Sequence, residues 1–364
     1  MLNRLVVENL KHRPVRTLLS ISAIGIEVTM ILTLVGVSRG MLEEAARRAR
    51  GVGADIWVRP PGSSVMSFSS APMAEALLAF FEKQPHVTLA TGTVAQPLRG
   101  IESVTGIDID KFTRMSGGFR YLSGGGFERD DDLIVDERYA TQNRVTAGSR
   151  VRLWNREWRV SGVVEPGKLA RLMVRLRVLQ ELTGNTAKLT QIFLKVDQPA
   201  RVESVIASLK RQLPDYQIYS IEEFTSLFSV GNVPGLREFI GIVVGLSVIV
   251  GFLVVFLSMY TAVLERTREI GILKALGATP GFVLGILVRE TALLALAGSA
   301  LGIAMSYGTR WVILTLVPAS LTQQIVTGWW PIASAIAIGG AMLGALYPGW
   351  KAVRQDALEA LSYE

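Results

Sequence analysis

Residues 239–264 carry no charged side chain at all. As a helix rising 1.5 Å per residue, a run of that length reaches about 39 Å, enough to cross a bilayer with room to tilt or protrude. Three more runs share this character: residues 17–38 hold Glu27 alone, residues 291–317 are interrupted only by Arg310, and residues 329–350 are uncharged before Lys351 and Arg354. Each is long enough to span hydrocarbon, so the chain is read as a membrane protein with four transmembrane helices. The first run follows Arg4, Lys11, Arg13 and Arg16, as a signal peptide would, but it exceeds an h-region and lacks an A-x-A site. An uncleaved anchor is therefore expected. Ahead of it, Leu2, Leu5, Val6 and Leu10 alternate with polar residues at helical spacing, which predicts an amphipathic helix over residues 2–12 lying on the membrane surface.

Positive charge sets the orientation. Four basic residues on each side of the first span balance one another, whereas Arg266, Arg268 and Lys274 lie between spans two and three and residues 318–328 contain no lysine or arginine. The former loop is therefore placed in the cytoplasm, together with both termini, and the polar middle of about 200 residues faces outside. A net charge of +7 needs no nucleic acid to explain it, because no arginine-rich helix or aromatic-interleaved basic stripe is present. The absence of cysteine excludes disulfides, thiolate metal sites and cysteine nucleophiles, and leaves the redox compartment open.

The middle block reads as α+β. A strand over residues 54–59, a helix over 71–83 and a strand over 86–90 form one βαβ-type unit, and residues 191–196, 200–213 and 216–221 repeat that order. Residues from about 92 to 185 read as short β segments at 133–135, 150–153, 157–160 and 162–164, predicting a β-rich subdomain inserted into the α+β one. The chain thus divides into an N-terminal segment (1–16), span one (17–38), an extracytoplasmic domain (39–236), span two (237–264), a cytoplasmic coupling segment (265–290), span three (291–317), an outer loop (318–328), span four (329–350) and a cytoplasmic tail (351–364).

Several motifs fail on chemistry. Gly162 to Lys168 satisfies G-x-x-x-x-G-K, but Leu169 replaces the magnesium-binding hydroxyl and Pro166 removes a backbone donor, so a β-turn is expected. Gly36-Val-Ser38-Arg-Gly40 matches a nucleophile elbow but follows a membrane span, and His12 and His86 have no evident route to Ser38. The acidic run Glu128, Asp130, Asp131, Asp132, Asp136 and Glu137 lacks calcium-loop spacing and reads as a solvated loop. Neither a catalytic residue nor a metal site is assigned. Pairs spaced G-x-x-x-G at Gly241 and Gly245, Gly298 and Gly302, and Gly340 and Gly344 predict close helix packing in the bundle. Glu27 has two open readings: a gate or ligand contact, or a structural partner for a polar group on a neighbouring span. Arg310 can snorkel to the headgroups.

The stretch Leu264-Glu-Arg266-Thr-Arg268-Glu269-Ile-Gly271-Ile-Leu-Lys274-Ala-Leu-Gly277-Ala-Thr279-Pro-Gly281 closely resembles the signature of the FtsX/MacB-type ABC transporter permeases. The start of the chain, Asn9-Leu10 through Arg16 to Leu19, resembles the family as well, as do Glu290, the tail over residues 348–359 and the middle segments over 133–140 and 147–153. The resemblance implies a coupling helix that binds an ATPase, with Glu265, Arg266, Arg268, Glu269, Gly271, Lys274, Leu276, Gly277 and Ala278 at matching positions. Apolar Ile270, Leu273 and Leu276 are expected to face a groove on that partner while the charges set the docking register. It further implies a homodimer paired through spans one and two in the bacterial inner membrane. ATP and magnesium would be bound by two copies of a separate ATPase subunit, and this chain would catalyse nothing itself. The function implied is mechanotransmission driving export or extraction of a hydrophobic or amphipathic substrate, with a membrane-fusion adaptor as a further partner. The alternative is a non-transporting relay that controls an extracytoplasmic cell-wall hydrolase.

Overall fold

In this computed structural model the described residues are 12–63, 71–98, 103–233, 235–317 and 321–354. The amphipathic helix expected over residues 2–12 lies outside them apart from His12, as does the tail beyond residue 354. The described residues open with helix α1 (Pro14–Arg50), then β1 (Ile56–Arg59), β2 (Met73–Ala74), α2 (Leu77–Glu82), β3 (Val87–Pro97) and β4 (Ser103–Ile107). Next come α3 (Ile109–Ser116), β5 (Tyr121–Gly124), β6 (Asp132–Asp136), α4 (Glu137–Asn143), β7 (Arg150–Leu153), β8 (Arg156–Val164) and β9 (Leu172–Arg175). They are followed by α5 (Leu176–Leu182), β10 (Lys188–Leu189), β11 (Gln191–Val196), α6 (Val202–Gln212), β12 (Gln217–Ser220) and α7 (Ile221–Ser226). Four helices close the chain: α8 (Leu236–Glu265), α9 (Thr267–Ala275), α10 (Pro280–Leu316) and α11 (Trp330–Arg354). Two compact units result, one holding α1 up to Arg39 with α8 to α11, the other holding residues 40–234 and 317–322.

The first unit is a bundle whose long helices α1, α8, α10 and α11 are each apolar enough to cross a membrane. Its interior joins Ile24, Val28 and Ile31 of α1 to Val255, Met259 and Val263 of α8 and to Ala333, Ala337, Ala341 and Ala345 of α11. An alanine every fourth residue gives α11 a flat stripe, and close backbone approach replaces the hydrophobic effect that lipid cannot supply. A Cβ added at Gly298 would fall 2.6 Å from Ile24 Cβ, and one at Gly302 2.6 Å from the Gly25 carbonyl oxygen. At Gly344 it would fall 2.8 Å from the Phe252 carbonyl, and at Gly340 it would reach ordinary contact with Val248. Gly241 and Gly245 behave otherwise: among the described residues a Cβ at either meets nothing within 4 Å, so neither packs against another helix of this chain there. Hydroxyl pairs add polar ties, Ser20 to Ser258 at 2.7 Å and Thr33 to Thr309 at 2.9 Å.

The second unit is built on one ten-stranded sheet ordered β12-β1-β11-β3-β4-β9-β6-β8-β5, with β7 paired to β8. In its first part β1 runs antiparallel to β11 and β12, and β11 antiparallel to β3. Both strands of each βαβ unit are therefore parallel and flank a strand of the other unit, so the two units interleave as a split βαβ arrangement. The helix expected over 71–83 is shorter, beginning at Leu77 after the two-residue strand β2. Strand β3 runs on to Pro97, pairing with β11 in its first half and with β4 in its second, which continues the sheet into the β-rich insert. That insert also carries α3, α4 and α5, with Asp108 and Asp136 capping the first two through their side chains.

The rejected motifs have structural homes. Gly167 and Leu169 both take positive φ, and the chain continues into strand β9 instead of a helix, while Lys168 Nζ donates to the Ser116 carbonyl at 2.9 Å. Residues 36–40 sit inside continuous helix α1. The acidic run departs from a solvated loop at two positions, because Asp132 and Asp136 are buried. Asp132 is 0% exposed and pairs with Arg159 Nε at 2.7 Å while accepting the backbone N–H groups of Glu128 and Arg129. Burial opposes its charge, but those donors together outweigh burial and hold the carboxyl below its ordinary value.

Candidate functional site: the connector between α8 and α10

Helix α8 stops at Glu265 because Arg266 leaves helical geometry, at φ −108° and ψ 14°, and α9 begins at the next residue. At its other end Gly277 adopts φ 91°, which L side chains rarely take. Around it the Ala278 N–H donates to the Leu273 carbonyl at 2.9 Å and the Gly277 N–H to the Lys274 carbonyl at 3.0 Å, the paired bonds of a Schellman stop. Thr279-Pro280 then restarts the chain as α10, with proline at a position that has no helical donor to lose.

Ionic contacts hold this short helix against the bundle. Arg266 turns inward and its NH1 reaches Glu290 Oε2 at 3.2 Å, while Arg16 NH2 reaches Glu290 Oε1 at 2.6 Å. Glu290 is 0% exposed, so one buried carboxylate of α10 bridges the start of α1 to the junction of α8 and α9. Arg13 also pairs with Glu265. Lys274 Nζ donates to the Val353 carbonyl at 2.8 Å, placing a cation at the C-terminal end of α11 where helix carbonyls gather negative charge. Beside it Lys351 Nζ donates to the Tyr260 hydroxyl at 2.8 Å.

What remains outward on α9 and its stop is a stripe of Arg268, Glu269, Ile272, Ala275 and Leu276. These positions follow helical spacing on one face. Ile272 is 45% and Leu276 80% exposed. The expected groove-facing set is thereby corrected: Ile270 is buried in the bundle core, Leu273 is only half exposed, and Ile272 takes the outward place. Gly271 is buried as well, and Ala278 is half-buried. The register differs because Arg266, which contacts Glu290, breaks the helix, so α9 does not continue the phase of α8.

Glu27 lies apart from this site, 5% exposed in α1, with its carboxylate against Gly251 of α8, where an added Cβ would overlap it. Its Oε1 has no hydrogen-bond partner among the described residues, so the reading as a partner for a polar group on a neighbouring span finds no support at that atom. Arg310 is exposed on α10. Sequence reasoning missed Arg13 and Arg16 as partners of the connector. An acid at residue 290 beside a long apolar run was the available signal, since such a charge demands a counter-ion.

Residues 17–212 match the MacB-like periplasmic core domain and residues 241–357 the FtsX-like permease C-terminal domain. The chain belongs to the MacB/FtsX family of ABC transporter permeases. Four membrane-spanning helices and an extracytoplasmic α+β domain between the first and second are therefore the architecture of this permease. It is 31% identical over 206 residues to the uncharacterized ABC transporter permease YknZ of Bacillus subtilis (strain 168), covering 54% of this chain and 50% of YknZ. It is 24% identical to the macrolide export ATP-binding/permease protein MacB of Escherichia coli, covering 99% of this chain and 60% of MacB. The permease thus spans about half to three-fifths of the length of these curated relatives. Among solved structures, the periplasmic region of MacB from Actinobacillus actinomycetemcomitans is similar at 16% identity and a TM-score of 0.38, covering 51% of this chain and 97% of that one.

Proposed function

We propose that this permease couples ATP hydrolysis on a separate ATPase subunit to export or extraction of a hydrophobic or amphipathic substrate, by transmitting force through its helices. The observation that carries the reading is the exposed stripe of Arg268, Glu269, Ile272 and Leu276 on a helix tied through Arg266, Glu290 and Arg16 to three other segments of the bundle. Two apolar side chains flanked by charges suit a helix-in-groove dock, and a buried ionic joint is a stiff way to carry its displacement to α1. On this reading the stripe and both termini face the cytoplasm of a bacterial inner-membrane protein. Two copies pair through α1 and α8, with the unpacked Gly241 and Gly245 face of α8 available for the contact. One ATPase sits under each copy, and the ATPase, not this chain, binds ATP and magnesium. The name of MacB, a macrolide exporter, favours a transported amphipathic molecule; an adaptor protein outside is a further partner, and Glu27 a candidate gate.

The test is co-purification of the permease with its proposed ATPase partner from the native membrane, together with substrate-stimulated ATP turnover in proteoliposomes. Ile272→Asp with Leu276→Asp should lower association at least about tenfold while leaving the chain folded, since both side chains already face outward. Undiminished association of that double variant would overturn the dock. ATP turnover that responds to an extracytoplasmic hydrolase but to no small amphipathic molecule would replace transport by the signal-relay alternative.

A further inference from the structure

Where the end of α1 packs within the second unit, three arginines converge on too few acids. Arg138 NH1, in the first turn of α4, pairs with Glu44 Oε2 at 2.9 Å, while Arg48 Nε stands 4.0 Å from Glu44 Oε1. Strand pairing sets Val135 of β6 opposite Leu172 of β9, and one step further the Asp136 N–H donates to the Arg171 carbonyl at 2.9 Å. The Leu169 N–H donates to the Arg48 carbonyl at 3.1 Å, fixing the loop before β9 to α1. Arg171 is delivered into this junction 5% exposed, and none of its three guanidinium nitrogens has a hydrogen-bond partner among the described residues. A guanidinium carries five N–H donors, and leaving all of them buried without acceptors is costly. Asp136 is near enough to act on Arg171 through its charge but accepts none of its N–H groups, and its Oδ1 takes the Tyr139 N–H at 2.8 Å as the cap of α4. Glu44 Oε1 is likewise buried without a donor. Arg48, Arg138 and Arg171 against Glu44 and Asp136 leave positive charge in excess, with half-exposed Arg47 at the rim adding more.

We propose that this cluster is an oxyanion site: Arg171 and Arg48 receive the acceptor oxygens of a phosphate-class group, while Glu44 Oε1 takes a donor from its hydroxyl or from a bridging water. Arginine suits such a ligand because its planar fork donates in pairs to tetrahedral oxyanions. Burial, with Arg48 alongside, pushes the Arg171 guanidinium down to about 10, the direction expected of a cation that lacks its counter-ion. Two sources share this chemistry. They are free phosphate and a lipid phosphate; Glu44 and Arg48 lie six and ten residues beyond Ser38 on the same helix, about 9 to 15 Å along its axis against a headgroup layer about 5 to 8 Å deep, which favours the free ion.

The test uses the full chain in detergent and in nanodiscs, wild type and Arg171→Met, with Arg48→Gln as a second variant should the first fail to fold. Inorganic phosphate, compared with chloride at equal ionic strength, should raise the wild-type melting temperature, and either variant should weaken the apparent affinity at least about tenfold. If phosphatidylglycerol, read by native mass spectrometry and by the melting temperature in nanodiscs, stabilises the wild type and not the variants while phosphate does nothing, the oxyanion is the lipid's. The proposal fails if the wild type responds to neither, or if the variants respond as the wild type does. A phosphate-insensitive wild type that Arg171→Met renders more stable would mark Arg171 as an uncompensated buried charge and nothing more. These readouts do not involve the ATPase, so the coupling reading stands or falls separately.

Discussion

Identical residue types do different work here according to burial. Glu265, half exposed, pairs with Arg13 at the bundle end, and exposed pairs of that kind contribute little. Glu290, buried and shared by two arginines, is a different object, because removing it would strand Arg16 in a water-poor site and take an ionic partner from Arg266. Asp132 is the clearest case outside the membrane. Its carboxyl is held below the ordinary value of 3.8, so the folded state binds its proton less tightly than the unfolded chain does. The stabilisation is complete above that value and is lost as pH falls through the lower folded-state value. Acid unfolding of the wild type, followed by tryptophan fluorescence, should therefore steepen below about pH 4. Asp132→Asn should be less stable at pH 7 and lose this part of the acid sensitivity.

Among the elements, the helices show how one spacing can serve two ends. Gly298 and Gly302 bring α10 against α1, whereas Gly241 and Gly245 share the same spacing on an open face of α8. Gly298→Leu should force the helices apart and cost about 1 to 3 kcal/mol in thermal unfolding in detergent. Gly245→Leu should leave the stability of the single chain within about 0.5 kcal/mol, because among the described residues no atom lies in its way, and any larger loss should appear only where two copies associate. Equal effects at the two positions would mean that the bundle is packed otherwise. Element α9 makes the same point through register. Its sequence displays Ile270, Ile272 and Leu273 without saying which face is inward, and the break at Arg266 chooses Ile272 for the outside.

For the whole molecule, orientation is the quantity on which the proposed function turns. The chain has no cysteine, so a single introduced thiol is its own label. In intact cells, a membrane-impermeant maleimide should readily label Ala207→Cys, an exposed position on helix α6. It should reach Ala275→Cys on α9 only after the membrane is permeabilised. Labelling of Ala275→Cys from outside would remove the connector from the compartment that holds ATP and with it the proposed coupling.

Much of this permease was legible from local properties. Four apolar runs announce four spans because the cost of burying charge in lipid is charged to each segment alone, and the turn chemistry of Leu276-Gly277-Ala278-Thr279-Pro280 marks a stop and a restart without reference to anything distant. Strands β1, β3, β11 and β12 were visible in period-two patterning, yet their interleaving was not, since a strand's sequence names its faces and not its neighbours. Tertiary structure alone decided that Arg16 meets Glu290 across 274 residues, that Asp132 leaves solvent, and that Arg171 is buried without an acceptor among the described residues. Each of these depends on which distant segments exclude water from a charge, and that is settled only when the chain has packed.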